Sequence, residues 1–547
     1  MTVLTIDQAL TRAKSHRERG EVEDARHLLE AVLEAFPNHS EARKDLEGVK
    51  ALLRCGDNLN PPQEVIDRVL SIYNSGQLLS AFEEAKVLTT DYPGAFVIWN
   101  IMGAAAAQLE MLDEAINAFE KVISLKPDCA DGHFNLGNAL KSGGRMDEAI
   151  SAFSNAVNLN SELDVALNNM GTTLQDLGRI EQASDAFNMA IKISPDYDQA
   201  HNNLGNLLKI KGCLEDGIAS YKKALSINPN YAGAHRNLGF ALLNIGKTEE
   251  GLEEFEWRWE IPKNLEARRH FSKPAWDGKK SLKGKRILLW SEQGIGDTLL
   301  WSCFIPLVSS QADHCILECQ EKLVPLLMRS HPDITVQPEN REFDASRDDF
   351  DFHLPMGSLY RQLFSKISQQ STTNAFLIPD PARVNYWKER LQSLGDGPYV
   401  GIGWKSSKML PNRMPNYAPL SDWAPLLTLP EVTFINLQYT DFVDDLNSVK
   451  SDLGVKVHNF EDLDLLNDID DVAALCSALD MVVATTSAIP LISAGVGTLT
   501  KFACWKQSSW NNPLFQPRGS QLDIFYRNTW DPWEPVFGSI AEDIANS

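Results

Sequence analysis

Glycines stand at positions 103, 137, 171, 205 and 239, one every 34 residues, and no other feature of the chain limits its fold so tightly. A fixed period of this length marks a stack of like helical units, none of which can bury its apolar face alone. Twelve residues after these glycines come Ala115, Ala149, Ala183, Gly217 and Gly251, and four further on come Phe119, Phe153, Phe187, Tyr221 and Phe255. Small residues let two helices approach, and the aromatic rings fill the gap between them. Pro127, Pro195 and Pro229 stand where the second helix of a unit must stop, with Ser161 in that place once. Counting back adds a unit at 62–95 (Ala81, Pro93) and a degenerate, out-of-register one near 6–39 (Ala25, Pro37).

These small and aromatic positions resemble the tetratricopeptide repeat (TPR), which implies a right-handed superhelix of helix-turn-helix units. One polar column runs through it. Asn135, Asn169, Asn203 and Asn237 each precede a glycine by two, with Asn138 and Asn206 one turn along. A side-chain amide both donates and accepts, so an evenly spaced column can hold an extended peptide of any sequence. The competing reading is an ordinary solvated asparagine. The O-GlcNAc transferase family of TPR glycosyltransferases has such a ladder, and that resemblance implies peptide binding.

The repeat decays at "GLEEFEWRWEIP", where Trp257 and Trp259 replace small positions and read as a seam between the superhelix and the next domain. After "KPAWDGKKSLKGK" strand-like and helix-like stretches alternate: "RILLW", "HCILEC", "ITVQP", "FDFHLP", then "YVGIGW", "VTFINLQ", "VKVHNF", "MVVAT" and "LTKFAC". Strands spaced by helices imply parallel sheets covered on both faces. The expected architecture is an α superhelix followed by an α/β region with two Rossmann-like lobes. Its segments are 1–61, the repeat 62–265, a linker 266–285, a first lobe 286–380 and a second 381–547.

A formal charge of -23, from 51 Lys plus Arg and 74 Asp plus Glu, argues against nucleic acid or an anionic membrane surface as partner. Eight scattered cysteines lack the density of a disulfide scaffold and read as free thiols, "CILEC" being buried packing rather than zinc. The first residues hold no apolar stretch of a secretory signal, and nothing reaches the ~18 apolar residues of a membrane span. A cytoplasmic protein is expected.

The stretch "WSEQGIGDTL" at 290–299 invites a dinucleotide reading, and Glu318 sits about where a ribose-binding acid would. Yet Leu299 stands where the third glycine belongs, and Asp297 would repel a pyrophosphate at the helix start. The turn of Gln293, Gly294 and Gly296 reads instead as presenting the carboxylate of Asp297 as a general base. The alternative is Asp297 as helix N-cap alone. In the second half Thr485, Thr486 and Ser487 follow a strand and open the helix "SAIPLISAG", a place for a phosphate. Lys405, Ser406 and Gln438 fall at facing strand ends, with Arg413 as an auxiliary cation.

"WSEQGIGDTLLW", "FDFHLPMGSL", "GIGWKSS", "FINLQY" and "LNDIDDVAALCSALDMVVATTS", after "EFEWRW" and "PAWDG", resemble in order the bacterial proteins that fuse TPR arrays to a heptosyltransferase-like GT-B domain. The resemblance implies acceptor binding by the first lobe, nucleotide-sugar binding by the second, and Asp297 as the base. It departs where heptosyltransferases show Asp-Thr and then a histidine, for this chain has Thr486, Ser487 and Leu491. The acidic clusters at 348–351, 462–464 and 468–470 are explained by solvation and capping, and no metal is expected. The expected function is an inverting, metal-independent glycosyltransferase acting on a protein Ser/Thr hydroxyl, with no cofactor besides the nucleotide sugar and flagellin as one acceptor. The alternative is a non-catalytic TPR scaffold with a degenerate GT-B domain; an NAD-type oxidoreductase is disfavoured by Leu299 and Asp297.

Overall fold

Each 34-residue period is a helix pair in the computed structural model, which describes residues 6–18, 22–36, 39, 42–46, 49, 61–265, 267–292, 294–342, 344–367, 375–406, 416–506, 521–528 and 531–546. The chain divides into two compact units, Met1–Pro195 and Asp196–Ser547. In the first, helices Ile6–Glu18 and Val22–Ala35 pack through Ala9, Ala13, Ala25, Leu29 and Val32. Four regular pairs follow: Gln63–Asn74 with Leu78–Asp91, Phe96–Gln108 with Leu112–Leu125, Ala130–Ser142 with Met146–Leu159, and Asp164–Asp176 with Ile180–Ile193. The periodic glycines serve close approach. A Cβ on Gly137 would stand 2.6 Å from the Phe153 ring, and one on Gly171 2.6 Å from the Phe187 ring.

A second 34-residue series governs the turn inside each pair. Gly76, Gly144 and Gly178 have φ of 80, 77 and 73°, and Glu110, at the same phase, has φ of 60°. The chain reverses there through a left-handed residue, which glycine adopts without steric cost and glutamate does not. The sequence reading missed this series.

The second unit begins with two more pairs, Asp198–Ile210 with Leu214–Ile227 and Ala232–Asn244 with Thr248–Phe255. Gly205 lies under Tyr221 as its counterparts do under phenylalanine, whereas a Cβ on Gly239 would meet backbone, 3.0 Å from the Gly251 carbonyl. Two parallel sheets follow. The first holds β1 (Arg286–Trp290), β2 (His314–Cys319), β3 (Thr335–Pro338) and β4 (Phe352–Pro355) in the order β3-β2-β1-β4. The second holds β5 (Tyr399–Gly403), β6 (Thr433–Asn436), β7 (Val457–His458), β8 (Met481–Ala484), β9 (Leu499–Trp505) and β10 (Leu522–Arg527), in the order β10-β9-β8-β5-β6-β7. All of their ladders are parallel. Nine strands coincide with stretches read from the sequence; β10, "LDIFYR", was not among them.

Cys315 and Cys319 are buried in β2, and burial pushes both thiols up to about 12, as packing residues rather than ligands. The cysteines of the described residues are free. Among those residues no helix is long and apolar enough to cross a membrane.

Two substitutions test the repeat. Gly171→Ala should lower stability by about 1–3 kcal/mol by driving a methyl into Phe187. Glu110→Gly should raise it by about 0.5–1 kcal/mol, the left-handed strain relieved outweighing the added freedom of the unfolded chain. Urea unfolding midpoints measure both; unchanged midpoints would reject the packing and turn arguments.

Candidate functional site

In open parallel sheets, ligands bind beyond the carboxyl ends of the strands where the strand order reverses. In the first sheet that point lies between β1 and β4, whose register sets Trp290 level with Pro355. In the second it lies between β5 and β8, with Gly403 level with Ala484. The turns singled out from sequence leave these two points.

After β1 the chain passes Ser291 and Glu292 into helix Ile295–Ser302. Gly294 is the N-cap and supplies no side-chain bond, so Asp297 is not the cap; it stands in the first turn, half-buried. The positive end of the helix favours its ionised form. The Thr298 N–H and hydroxyl both donate to the Gly294 carbonyl, at 3.1 and 3.3 Å, which fixes the turn. Gln293 and Arg413 lie outside the described residues.

After β8, Thr485 is fully buried and its N–H donates to the Gly403 carbonyl at 2.9 Å. The hydroxyls of Thr485 and Thr486 are buried with no protein partner, and so is that of Ser291 across in the first sheet. Buried hydroxyls are usually bonded, and these three lie at the two switch points. Ser487 is half-buried, its Oγ accepting the Ile489 N–H at 3.3 Å. The following helix, Ile489–Gly495, is short, with Ala488 as its N-cap.

The two turns meet. A Cβ on Gly296 would stand 3.3 Å from Leu491 Cδ1 and 3.9 Å from the Ala488 Cβ. The absence of a side chain at 296 therefore lets the Asp297 turn lie against the segment that follows Thr485–Ser487. Leu491 is buried in this contact.

The residues at the ends of β5 and β6 are more committed than the sequence suggested. Lys405 is not a free cation: its Nζ donates to Asp445 at 2.6 Å, and the indole of Trp404 donates to the same oxygen at 2.8 Å. The Gln438 oxygen accepts the N–H groups of Trp404 and Lys405, while its nitrogen donates to the Lys405 carbonyl and Thr440. Gln438 thus shapes the turn after β5 and has no amide proton left for a ligand. Ser406 accepts a long bond from Tyr439, 3.4 Å.

Glu318 gives no support to a ribose site. Its side chain is sealed in, bonded to Arg269 at 2.7 Å, Arg347 at 2.5 Å and Gln337 at 2.7 Å. The acidic clusters are likewise spent on the fold. Asp348, Asp349 and Asp351 pair with Lys273, Arg347 and Arg286, Asp462 pairs with Arg390, and Asp468 caps helix Ile469–Ala478.

Glu292 and Arg258, which the sequence reading passed over, form a second buried charge cluster beside the first turn. Arg258 follows the last repeat and donates to Glu292 at 3.0 and 3.1 Å, to Glu256 at 2.7 Å and to Ser358 at 2.8 Å. A Cβ on Gly357 would collide with the Glu292 carboxylate at 1.9 Å. Burial pushes the Glu292 carboxyl up to about 7 against the pull of Arg258. Nearby, Trp259 leans on Trp290 with ring centroids 5.5 Å apart, while Trp257 stacks on His235 at 3.9 Å. Trp259 thus joins the last repeat to β1, whereas Trp257 packs back on the repeat helix Ala232–Asn244.

In the first unit the asparagine column is a set of bonds between repeats. Asn135 donates to Asn100 at 3.1 Å and Asn169 to Asn138 at 2.8 Å. In the second unit Asn237 donates to Asn202 at 3.0 Å, and Asn202 to Asn203 at 3.3 Å. The amides are half-buried and oriented by one another, which keeps their remaining donors and acceptors in fixed directions.

Glu292 carries a pH dependence. Its carboxyl is raised above its ordinary value of 4.5, so between about 4.5 and 7 the folded chain holds a proton that the unfolded chain has released. That contribution to stability is present below this window and lost as pH rises through it. Glu292→Gln should flatten the fall in unfolding free energy across the window; an unaltered slope would place the pKa elsewhere.

Residues 10–46 and 102–161 match the family described as "Tetratricopeptide repeat", and residues 173–212 and 205–246 the one described as "TPR repeat". Among curated proteins, "Protein FlbA" of Caulobacter vibrioides is 35% identical over 282 residues, covering 49% of this chain. The match spans 47% of that protein's length, about half. Among solved structures, MamA is 24% identical, covering 30% of this chain and 98% of its own, with a TM-score of 0.28. YrrB, described as a TPR protein with an unusual peptide-binding site, is 18% identical over 33% of this chain and 93% of its own, also at 0.28. The repeats of this chain are tetratricopeptide repeats.

Proposed function

We propose that the α/β half is a GT-B glycosyltransferase domain and that the chain transfers a sugar from a nucleotide sugar to a protein Ser or Thr hydroxyl. The observation that carries this reading is the meeting of the two switch points at Gly296, Ala488 and Leu491, with a carboxylate on one side and orphaned hydroxyls on the other. The acceptor oxygen attacks the anomeric carbon as the bond from that carbon to the diphosphate oxygen breaks. The acceptor proton passes to Asp297, the sugar configuration inverts, and the diphosphate leaves toward Thr485, Thr486 and Ser487. No metal enters the proposed step. The TPR amides hold the acceptor chain, and flagellin is the acceptor suggested by the family resemblance.

A second reading, a TPR scaffold with a degenerate transferase domain, is favoured by the pairing of Lys405 with Asp445 and by Leu491 in the place of a histidine. Titration calorimetry against UDP-, GDP-, ADP- and CMP-sugars separates the two. The transferase reading expects one of them to bind and Thr485→Val with Thr486→Val to weaken that donor. Asp297→Asn should keep donor affinity and lower transfer by about 100-fold or more, the usual contribution of a general base. Binding of no nucleotide sugar leaves the scaffold reading; unaltered transfer by the Asp297→Asn chain removes the base assignment.

A further inference from the structure

Arg258 belongs to the segment that ends the last repeat, yet its guanidinium lies at the switch point of the first sheet. β1 and β4 run level as far as Trp290 and Pro355, and Glu292 and Gly357 each stand two residues beyond. Across that gap Nη2 of Arg258 donates to Glu292 at 3.0 and 3.1 Å and to the Ser358 hydroxyl at 2.8 Å. One side chain thus holds both chains that leave the strand ends. Ser358 donates to Glu256 at 2.9 Å, and Nη1 of Arg258 donates to the same carboxylate at 2.7 Å, which closes the set on the repeat. The Phe255 and Trp259 rings lie 4.7 and 4.9 Å from the guanidinium.

The hold reaches the helix of Asp297 through Gly357. A Cβ there would stand 1.9 Å from a Glu292 oxygen and 3.0 Å from Trp301 Cη2, so the carboxylate and the indole both press on one glycine. Trp301 lies on helix Ile295–Ser302, one turn after Asp297, and Glu292 stands two residues before the N-cap of that helix, Gly294. As a joint between domains the pair is a poor device. The Arg258 side chain is 2% exposed and that of Glu292 1%, and desolvation offsets most of the attraction between charges so buried. An apolar contact holds as well, and Trp259 against Trp290 already supplies one at 5.5 Å. What an apolar contact lacks is direction, whereas the planar fork of an arginine fixes angle as well as distance.

We propose that Arg258 is a positioning residue for the Asp297 turn. Its fork on Glu292 and Ser358 sets the gap between the ends of β1 and β4 and, through Glu292, Gly357 and Trp301, the placement of the helix that carries the carboxylate. The last repeat is then part of the first lobe's site rather than a module attached to it. The placement stands on these contacts alone; its consequence for sugar transfer rests on the reading in which Asp297 is the base.

Hydrogen–deuterium exchange of the full chain, read by mass spectrometry, tests the placement without any reaction. In the Arg258→Lys chain, which keeps the charge and loses the fork, peptides from 294–302 should exchange about tenfold faster, while those from β2 and β8 keep their rates. Arg361→Gln, which removes the exposed pair with Glu253 between the last repeat and the first lobe, should leave all of them unchanged. Ser358→Ala, expected to raise exchange at 294–302 about threefold, carries the same test if Arg258→Lys fails to fold. Unaltered exchange at 294–302, a rise shared equally by β2, or an equal rise in the Arg361→Gln chain overturns the proposal. With a nucleotide sugar that calorimetry has identified, Arg258→Lys should lower kcat about tenfold or more and leave donor affinity and acceptor KM within about twofold. A change in KM alone overturns the role in transfer. If the unaltered chain uses no nucleotide sugar, the transferase reading falls, and the exchange rates still decide the placement.

Discussion

Close approach through missing side chains is the constraint on which this structure rests. In the repeat, Gly137, Gly171 and Gly205 each lie under an aromatic ring of their own unit, so the distance between paired helices is set by a hydrogen atom rather than a methyl. In the α/β half, Gly296 does the same between two sheets, letting the helix that carries Asp297 rest on Ala488 and Leu491. Interiors packed to crystal-like density do not absorb an added methyl without moving something. The relation between the carboxylate turn and the hydroxyl loop is therefore as fixed as the packing around it.

Within the packed helices and sheets, the polar groups sort into two kinds. Glu318, Arg269 and Asp344 are buried in one linked set of ion pairs at the first sheet. Ser291, Thr485 and Thr486, by contrast, are buried at the strand ends with nothing to bond. A hydroxyl left unpaired costs about 1–3 kcal/mol in desolvation, which is the weight these three carry in the proposed site.

Much of this was legible in the sequence, for reasons that differ by element. The 34-residue glycine and aromatic series gave the helix pairs because both residue types act through size, which sequence states outright. The nine strands were visible as apolar runs because parallel strands are buried on both faces. β10 escaped because "LDIFYR" mixes charged and apolar residues at the sheet edge, and its burial is only partial. The turn series of Gly76, Gly144 and Gly178 was hidden by Glu110, which breaks the glycine pattern while keeping the left-handed backbone. Pairing was the least legible property of all. That Glu318 would be neutralised by arginines 49 and 29 residues away, or Lys405 by Asp445, depends on contacts distant in sequence.

The Lys405–Asp445 pair bears on how an anionic donor could be accepted by so acidic a chain. Both side chains are partly exposed, and an ion pair of that kind contributes about 0–1 kcal/mol. In the proposed reaction a diphosphate arriving after β5 would draw the lysine from Asp445 at little cost, because water is at hand to solvate the carboxylate left behind. A sealed pair such as Arg269 with Glu318 offers no such exchange, since separating it would strand a charge in the interior. In that proposal the hydroxyls at 485 and 486 would act in the same direction, since uncharged groups add no repulsion of their own to a phosphate.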